Sequence, residues 1–278
     1  MDHIEGTFRG PRNEAIYYQA WLPEDGARAA LILLHGLGSH SGRYMNVVDR
    51  LLEGRIAVYA CDQIGHGRSG GARGRIRRFA DFTGTLETFR GMAGMRQPGK
   101  PLFLFGHSMG GLIAVRFLLD HPDSFRGAVL SAPALLPAAG ITPAAVLAGR
   151  ILSVLAPGVG LFRLNPDLLT RDSEAVKAYH ADRLVYHGKT PARLAVELLK
   201  AMRTVEREAA GITLPFLILL GSRDQVVNPD GAKMLYEKAA SKDKTLKIYD
   251  GLYHETFNDP ERGRVLGDMA DWLVKRVK

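Results

Sequence analysis

Short apolar runs alternate with segments of helical periodicity along most of the chain. The apolar runs predict strands, and they are ALILLHG (30–36), IAVYACD (56–62), PLFLFG (101–106), GAVLSAP (127–133), PFLILLGS (215–222) and TLKIYDG (245–251). In most of them the apolar residues are continuous, which favours strands that are buried on both faces. The helical segments between them are typical of crossover connections. The pattern therefore predicts the α/β class, with a mostly parallel central sheet flanked by helices.

The alternation stops between residues 134 and 207, where the sequence turns helical. We expect residues 134–207 to form a helical insertion and residues 1–133 and 208–278 to form the α/β core. The most apolar part of the insertion (142–162) fits two structures equally well: a buried helix packed on the sheet, or a cap whose apolar side faces a substrate or a membrane interface. A further segment with helical spacing (191–208) favours packing on the core or the cap.

Composition narrows the class of protein. The chain has 278 residues, of which 46% are hydrophobic, so it can bury a substantial core. No apolar run reaches the roughly 18 residues that span a bilayer. The first residues, MDHIEGTFRGPRNE, carry charges of both signs and lack the apolar centre of a secretory signal peptide. We therefore expect a cytoplasmic location.

The charge distribution bears on possible partners. The formal net charge is +8, but the basic residues are dispersed, and the densest patch, RGRIRRF (73–79), matches no nucleic-acid-binding module. We therefore expect no nucleic acid partner, whereas weak attraction to an anionic membrane surface fits the charge. Cys61 is the only cysteine, which excludes an internal disulfide and a thiolate-rich metal site.

The segment GHSMGG (106–111) joins a predicted strand to a predicted helix. The pattern Gly-x-Ser-x-Gly in this position is typical of a nucleophilic serine on a sharp turn, where the flanking glycines give clearance to the neighbouring strand and helix. Ser108 would then lie at the carboxyl edge of the sheet, in front of a helix N-terminus. An ordinary glycine-rich turn is the alternative, and the strand-to-helix context makes it less favoured.

A serine nucleophile needs a base and a third group that orients the base, and in this architecture they follow in the order serine, acid, histidine. Asp224 comes just after PFLILLGS, and His254 comes just after the last predicted strand. Both should therefore lie at the same sheet edge as Ser108. Asp250 is the nearest rival to Asp224, but it shares a strand end with His254. The other candidates are less favoured, and they are His121, His180, His187, Asp230 and Glu255. Of these, Glu255 is expected to point elsewhere.

When the serine attacks, negative charge develops on the substrate oxygen, and N–H donors that are already in place stabilise it. The Met109 N–H is one candidate, because Met109 follows the nucleophile. The loop HGLGSHSGRY (35–44) supplies the other candidate, the Leu37 N–H. The alternative to an oxyanion-binding loop at His35 and Gly36 is an ordinary tight turn that happens to contain a histidine.

Five motifs together resemble those of the monoacylglycerol lipase group of the α/β-hydrolase superfamily. The members of this group are lysophospholipase-like serine hydrolases. The motifs are HGLGSHSGRY, DQIGHGRSGG, GHSMGG, LGSRDQVV and TLKIYDGLYHE. The resemblance extends from about residue 17 to residue 272 and is weakest in the insertion. It implies the α/β-hydrolase fold, a helical cap, and hydrolysis of a fatty acyl ester of glycerol. We expect the reaction to proceed through an acyl-enzyme and to require no metal or organic cofactor. The resemblance also places the triad on Ser108, Asp224 and His254.

The resemblance further implies the oxyanion donors Leu37 and Met109, and an alcohol-binding end near Arg43, His107 and Tyr179. Ser39 departs from it, because relatives often carry a glutamate at this place in the loop.

Other functions stay open at this point. One is a broad-specificity carboxylesterase. Another is a lysophospholipase, for which Arg43 and the basic residues of the cap would matter more. A protein of another class, a non-catalytic lipid-binding protein on the same fold, would be expected to have a broken triad, and this triad is intact. With an apolar cap, we also expect transient contact with a membrane surface and a peripheral location there.

Overall fold

An eight-stranded sheet forms the centre of the computed structural model, which describes residues 1–138 and 140–277. Residues 139 and 278, which fall in the predicted insertion and core ranges, lie outside the described residues. The strands are β1 (Asp2–Arg9), β2 (Ala15–Leu22), β3 (Ala29–Leu34), β4 (Ile56–Cys61), β5 (Leu102–His107), β6 (Gly127–Ser131), β7 (Gly160–Phe162), β8 (Thr190–Pro191), β9 (Phe216–Gly221) and β10 (Lys244–Tyr249). The helices are α1 (Met45–Glu53), α2 (Ala80–Arg96), α3 (Met109–Asp120), α4 (Pro143–Leu155), α5 (Ser173–Ala181), α6 (Ala192–Glu208), α7 (Asp230–Lys238) and α8 (Arg262–Val274).

The strand order of the sheet is β1-β2-β4-β3-β5-β6-β9-β10. The pairs from β4 to β10 are parallel, whereas β1 and β2 add an antiparallel hairpin at one edge. All six strands predicted from the apolar runs are present, so the predicted α/β class with a mostly parallel sheet is confirmed. The hairpin was not predicted. Strand β1 has the sequence DHIEGTFR and exposes alternate residues, a pattern that resembles a charged tail, whereas β2 is largely apolar and buried and was overlooked.

Helices cover both faces of the sheet, as predicted. Within β3, Ile32 packs on the face that also holds Phe89 of α2 and Ile113 of α3, while Leu31 and Leu33 pack on the opposite face with α1 and α8. All three β3 residues have no solvent exposure. This two-sided burial explains why the strand sequences are continuous apolar runs rather than alternating ones.

The chain between β6 and β9 contains α4, α5, α6 and a small antiparallel pair formed by β7 and β8. Helix α6 packs on the core, since Leu194, Leu198 and Val205 belong to the same buried cluster as α3. The division of the chain at residues 134 and 207 stays a prediction.

Helix α4 packs against α6 and not on the sheet. Its buried residues are Gly149 and Ser153, whereas Leu147 and Leu155 are 59% and 78% exposed. The first of the two structures considered for residues 142–162, a buried helix packed on the sheet, is therefore wrong. Across residues 1–138 and 140–277, no helix is long and apolar enough to cross a membrane.

Candidate active site

Ser108 occupies a sharp turn between β5 and α3. Its backbone has φ 54° and ψ −117°, a conformation that side-chain-bearing residues rarely adopt. A Cβ atom on Gly106 would lie 2.5 Å from the Gly110 carbonyl oxygen, and one on Gly110 would lie 2.2 Å from the Leu34 carbonyl oxygen. Only glycine fits at either position. The Ser108 N–H donates to the Ser131 carbonyl at 3.0 Å, which ties the turn to the neighbouring strand.

His254 and Asp224 form a buried hydrogen-bonded pair. The His254 Nδ1 donates to Asp224 Oδ2 at 2.8 Å, and Asp224 Oδ1 accepts from the backbone N–H groups of Val226 and Val227. Burial alone would raise the pKa of the Asp224 carboxyl, but the electrostatic interaction and hydrogen bond with His254 and the two N–H bonds lower it below its usual value. Asp224 is therefore an ionised carboxylate that fixes the His254 ring and leaves Nε2 free to act as a base.

The structure brings the predicted serine, acid and base together at one edge of the sheet. Ser108 follows β5, Asp224 follows β9 and His254 follows β10. Ser108 and His254 line the same cavity, and Asp224 lies behind His254. The rival Asp250 is exposed and accepts a hydrogen bond from Ser222 instead.

Leu37 and Met109 line the cavity beside Ser108. Met109 is the first residue of α3, so its N–H belongs to the donors that a helix N-terminus leaves unpaired. The loop that carries Leu37 is held by His35, whose Nδ1 donates to the Gly36 carbonyl at 2.8 Å and whose Nε2 accepts from the Gln63 N–H at 2.8 Å. Because that carbonyl and the Leu37 N–H belong to one planar peptide group, His35 also fixes the direction of the N–H.

The residues that the resemblance assigns to the alcohol end, Arg43, His107 and Tyr179, all line this cavity. The Arg43 guanidinium lies over the Tyr179 ring at 4.6 Å. The His107 Nδ1 donates to the Ser131 carbonyl at 3.1 Å, and its ring centroid is 4.6 Å from that of His254. Burial, and then the neighbouring His254, hold the pKa of His107 well below its usual value, so His107 is neutral.

Glu255 is the cavity residue that sequence reasoning missed. We expected it to point elsewhere, but it lines the cavity and accepts two hydrogen bonds from Arg43, at 2.9 and 3.0 Å. The two partners are 212 residues apart, so no local spacing links them. The one available signal was its position next to His254.

The remaining cavity wall is largely apolar, which suits an acyl chain. Its larger apolar side chains are Leu112, Leu136, Ile141, Phe162, Leu164, Leu169, Leu198, Leu199 and Met202. Within the part of the chain that the structure describes, no group of three or more His, Cys, Asp or Glu side chains is placed to hold a metal ion.

Comparison with known proteins gives consistent matches. The model of the Hydrolase_4 family, described as serine aminopeptidase, S33, matches residues 25–261. The chain is 38% identical over 273 residues to a monoacylglycerol lipase of Mycolicibacterium smegmatis, covering 98% of each chain. It is 36% identical over 265 residues to a monoglyceride lipase of Homo sapiens, covering 94% of this chain and 88% of the relative. Among solved structures, a Paleococcus ferrophilus monoacylglycerol lipase matches with a TM-score of 0.83 and 33% identity, covering 99% of this chain and 100% of the other.

Proposed function

Because this chain belongs to the Hydrolase_4 family of α/β-hydrolases, we propose that it is a carboxylic ester hydrolase that cleaves monoacylglycerols to glycerol and a free fatty acid. The observation that carries the proposal is the constellation of Ser108, His254 and Asp224 at the wall of a largely apolar cavity. The names of the relatives, monoacylglycerol lipase and monoglyceride lipase, support this substrate class. The buried His254–Asp224 pair argues against a non-catalytic lipid-binding protein, which would have no need of it.

In the proposed acylation step, Ser108 Oγ attacks the ester carbonyl while His254 Nε2 takes the hydroxyl proton. Asp224 holds the ring and stabilises the imidazolium that forms. The oxyanion accepts hydrogen bonds from the Leu37 and Met109 N–H groups, each of which lowers the barrier by about 2.7 to 4 kcal/mol. The C–O bond to glycerol then breaks, and His254 gives its proton to the departing oxygen.

Deacylation repeats the same steps with water as the nucleophile. His254 takes a proton from water as the water oxygen attacks the acyl-enzyme carbonyl, and the bond to Ser108 Oγ breaks as His254 returns the proton to that oxygen. The products are a free fatty acid and the original serine. The proposal requires no metal or organic cofactor, because every proton and bond in these steps is accounted for by the triad and water.

We place the alcohol end of the substrate beside Arg43, His107 and Tyr179 and the acyl chain along the apolar wall. We also propose that residues 134–207 act as a cap and that the exposed apolar side of α4 makes transient contact with a membrane surface. The exposure of Leu147 and Leu155 supports this role, because a large exposed apolar patch marks a surface that contacts a partner or a lipid.

The test is a hydrolysis profile on monoacylglycerols of increasing chain length, on methyl and p-nitrophenyl esters of the same acids, and on a lysophospholipid. Ser108→Ala should hydrolyse none of these esters above the rate in buffer alone while keeping its unfolding temperature. We expect a higher kcat/KM on the monoacylglycerol than on the methyl ester of equal chain length. Activity confined to small soluble esters would instead identify a general carboxylesterase.

A further inference from the structure

Several polar side chains of the cavity wall contact one another around Arg43. Arg43 and Glu255 pair through two parallel N–H···O bonds, at 2.9 and 3.0 Å, with side chains that are 11% and 3% exposed. Arg43 Nη1 also donates to Ser39 Oγ at 3.3 Å, and Asn258 Nδ2 donates to Glu255 Oε2 at 2.8 Å. We call Arg43 and Glu255 together the Arg43–Glu255 pair.

Both members of the pair are charged. Burial alone would lower the pKa of Arg43, but the Glu255 carboxylate outweighs burial and raises it. Burial alone would raise the pKa of Glu255, but Arg43, with the help of Asn258, lowers it. The pair therefore contributes no net charge to the cavity wall at neutral pH.

The pair keeps free hydrogen-bonding capacity. The bonds to Ser39 and Glu255 use three N–H groups, and a guanidinium carries five donors, so Arg43 has donors to spare. Glu255 Oε1 accepts one bond from Arg43 and, as a carboxylate oxygen, can accept a second. The cavity wall thus offers a donor and an acceptor side by side.

We infer that the Arg43–Glu255 pair selects the leaving alcohol: it accommodates a neutral polyhydroxyl group and rejects an anionic one. A hydroxyl can donate to Glu255 Oε1 and accept from Arg43, so a diol satisfies both partners. A phosphate would compete with Glu255 for the guanidinium fork and would lie beside a buried carboxylate of the same sign. The inference rests on the proposed function and makes Glu255 a specificity-determining residue that distinguishes a monoacylglycerol from an anionic lysophospholipid.

The experiment compares three substrates that share the lauroyl chain: 1-lauroylglycerol, 1-lauroylglycerol 3-phosphate and methyl laurate. In Glu255→Gln the guanidinium charge loses its partner. We expect kcat/KM on lauroylglycerol to fall about tenfold relative to methyl laurate, because the hydroxyl then meets a neutral amide in place of a charged carboxylate acceptor. We expect kcat/KM on the phosphate-bearing substrate to rise about tenfold, because the fork can now bind the phosphate.

Two further variants show whether charge causes the effect. Arg43→Gln/Glu255→Gln removes both charges, so the gain on the phosphate-bearing substrate should disappear. Glu53→Gln is the matched control, because Glu53 is an exposed carboxylate that pairs with an exposed arginine, Arg50. It should leave all three kcat/KM values unchanged.

Since Glu255→Gln leaves a buried charge unpaired, its folding is checked by thermal unfolding. If it does not fold, Arg43→Gln tests the same inference by removing the positive charge instead. The Glu255 carboxylate that remains should lower activity on the phosphate-bearing substrate more than on methyl laurate. An equal loss on all three esters would overturn the inference and leave the pair a structural role only. A wild-type protein that cleaves methyl laurate but not lauroylglycerol would instead refute the proposed function.

Discussion

Helices α3 and α4 are both strongly apolar and nearly equal in length, with 12 and 13 residues, yet α3 is mostly buried and α4 is mostly exposed. Helix α3 buries nine of its residues, whereas α4 buries two. The difference lies in topology: α3 follows β5 directly and lies on the sheet, while α4 belongs to the segment between β6 and β9 and packs against α6. An apolar sequence thus predicts that a helix needs a contact, but the topology decides whether the protein itself supplies one.

The largest effect we expect from this comparison is that of Gly110→Ala in α3. The added Cβ would lie 2.2 Å from the Leu34 carbonyl oxygen, and only a backbone shift of β3 or α3 could relieve that contact. We expect a loss of more than about 4 kcal/mol in the free energy of unfolding. The measurement is urea unfolding followed by circular dichroism.

Gly149→Ala in α4 is the matched control for this substitution. Its Cβ would meet no atom closer than 3.8 Å, so alanine should raise stability by about 0.5 to 1 kcal/mol. Similar losses at Gly110 and Gly149 would contradict the comparison.

A smaller but clear difference is expected for leucine truncation. Leu118 of α3 is 1% exposed, and Leu118→Ala should lower the free energy of unfolding by about 2 to 5 kcal/mol because it leaves a cavity. Leu147→Ala in α4 should change it by no more than about 0.5 kcal/mol. Urea midpoints measured at constant slope would show the contrast, and equal shifts would mean that α4 is packed as tightly as α3.

Acid should lower the free energy of unfolding through histidines that are buried beside the sheet, whereas α4 contains no histidine. Burial lowers the pKa of His35 and of His66 to about 3, from an unfolded value of 6.5. Between these values the unfolded chain binds protons that the folded chain does not, so stability falls as the pH is lowered from 6.5 towards 3. The expected slope is about 1 kcal/mol per pH unit for each histidine.

This pH dependence can be measured by urea unfolding at pH 7 and pH 5. His66→Gln should flatten the slope, because it removes one of the buried histidines, which include His107, that stay neutral in the folded chain. Equal stability of the wild-type protein at both pH values would show that neither histidine is held neutral by burial.

The smallest effect on stability, and a selective one on activity, is expected for Leu147→Asp. Because Leu147 is exposed, the fold should be unaffected. Hydrolysis of a monoacylglycerol embedded in lipid vesicles should fall several-fold, while hydrolysis of a short soluble ester stays unchanged. Met95→Asp is the control, since Met95 is also an exposed apolar residue, 78% exposed, but lies on α2. A loss on vesicles with both variants would argue against a specific lipid contact of α4.

Local patterns account for most of what the sequence predicted correctly. The six buried strands are visible because two-sided burial produces continuous apolar runs. The common place of Ser108, Asp224 and His254 at one sheet edge could be predicted because each follows a strand end, and the carboxyl ends of parallel strands meet at one edge. Their catalytic roles stay a prediction.

What the sequence could not show depends on neighbours that are distant along the chain. Strand β1 is partly exposed at the sheet edge, so its pattern is that of a polar segment, and its pairing with β2 is not visible in the sequence. The exposure of α4 depends on α6 being its packing partner. The Arg43–Glu255 pair joins two loops, and neither loop sequence specifies the other.

The backbone of Ser108 has a consequence for how this protein can change over evolutionary time. A side-chain-bearing residue at φ 54° is less stable there than glycine by about 1 to 3 kcal/mol. A glycine at this place would make the fold more stable and would eliminate the proposed nucleophile. Since a domain of this kind is stable by only about 5 to 15 kcal/mol, the strained serine uses a sizeable part of that margin. If Ser108 is the nucleophile that we propose, selection for stability and selection for activity act in opposite directions at this residue, and the rest of the core must be stable enough to tolerate it.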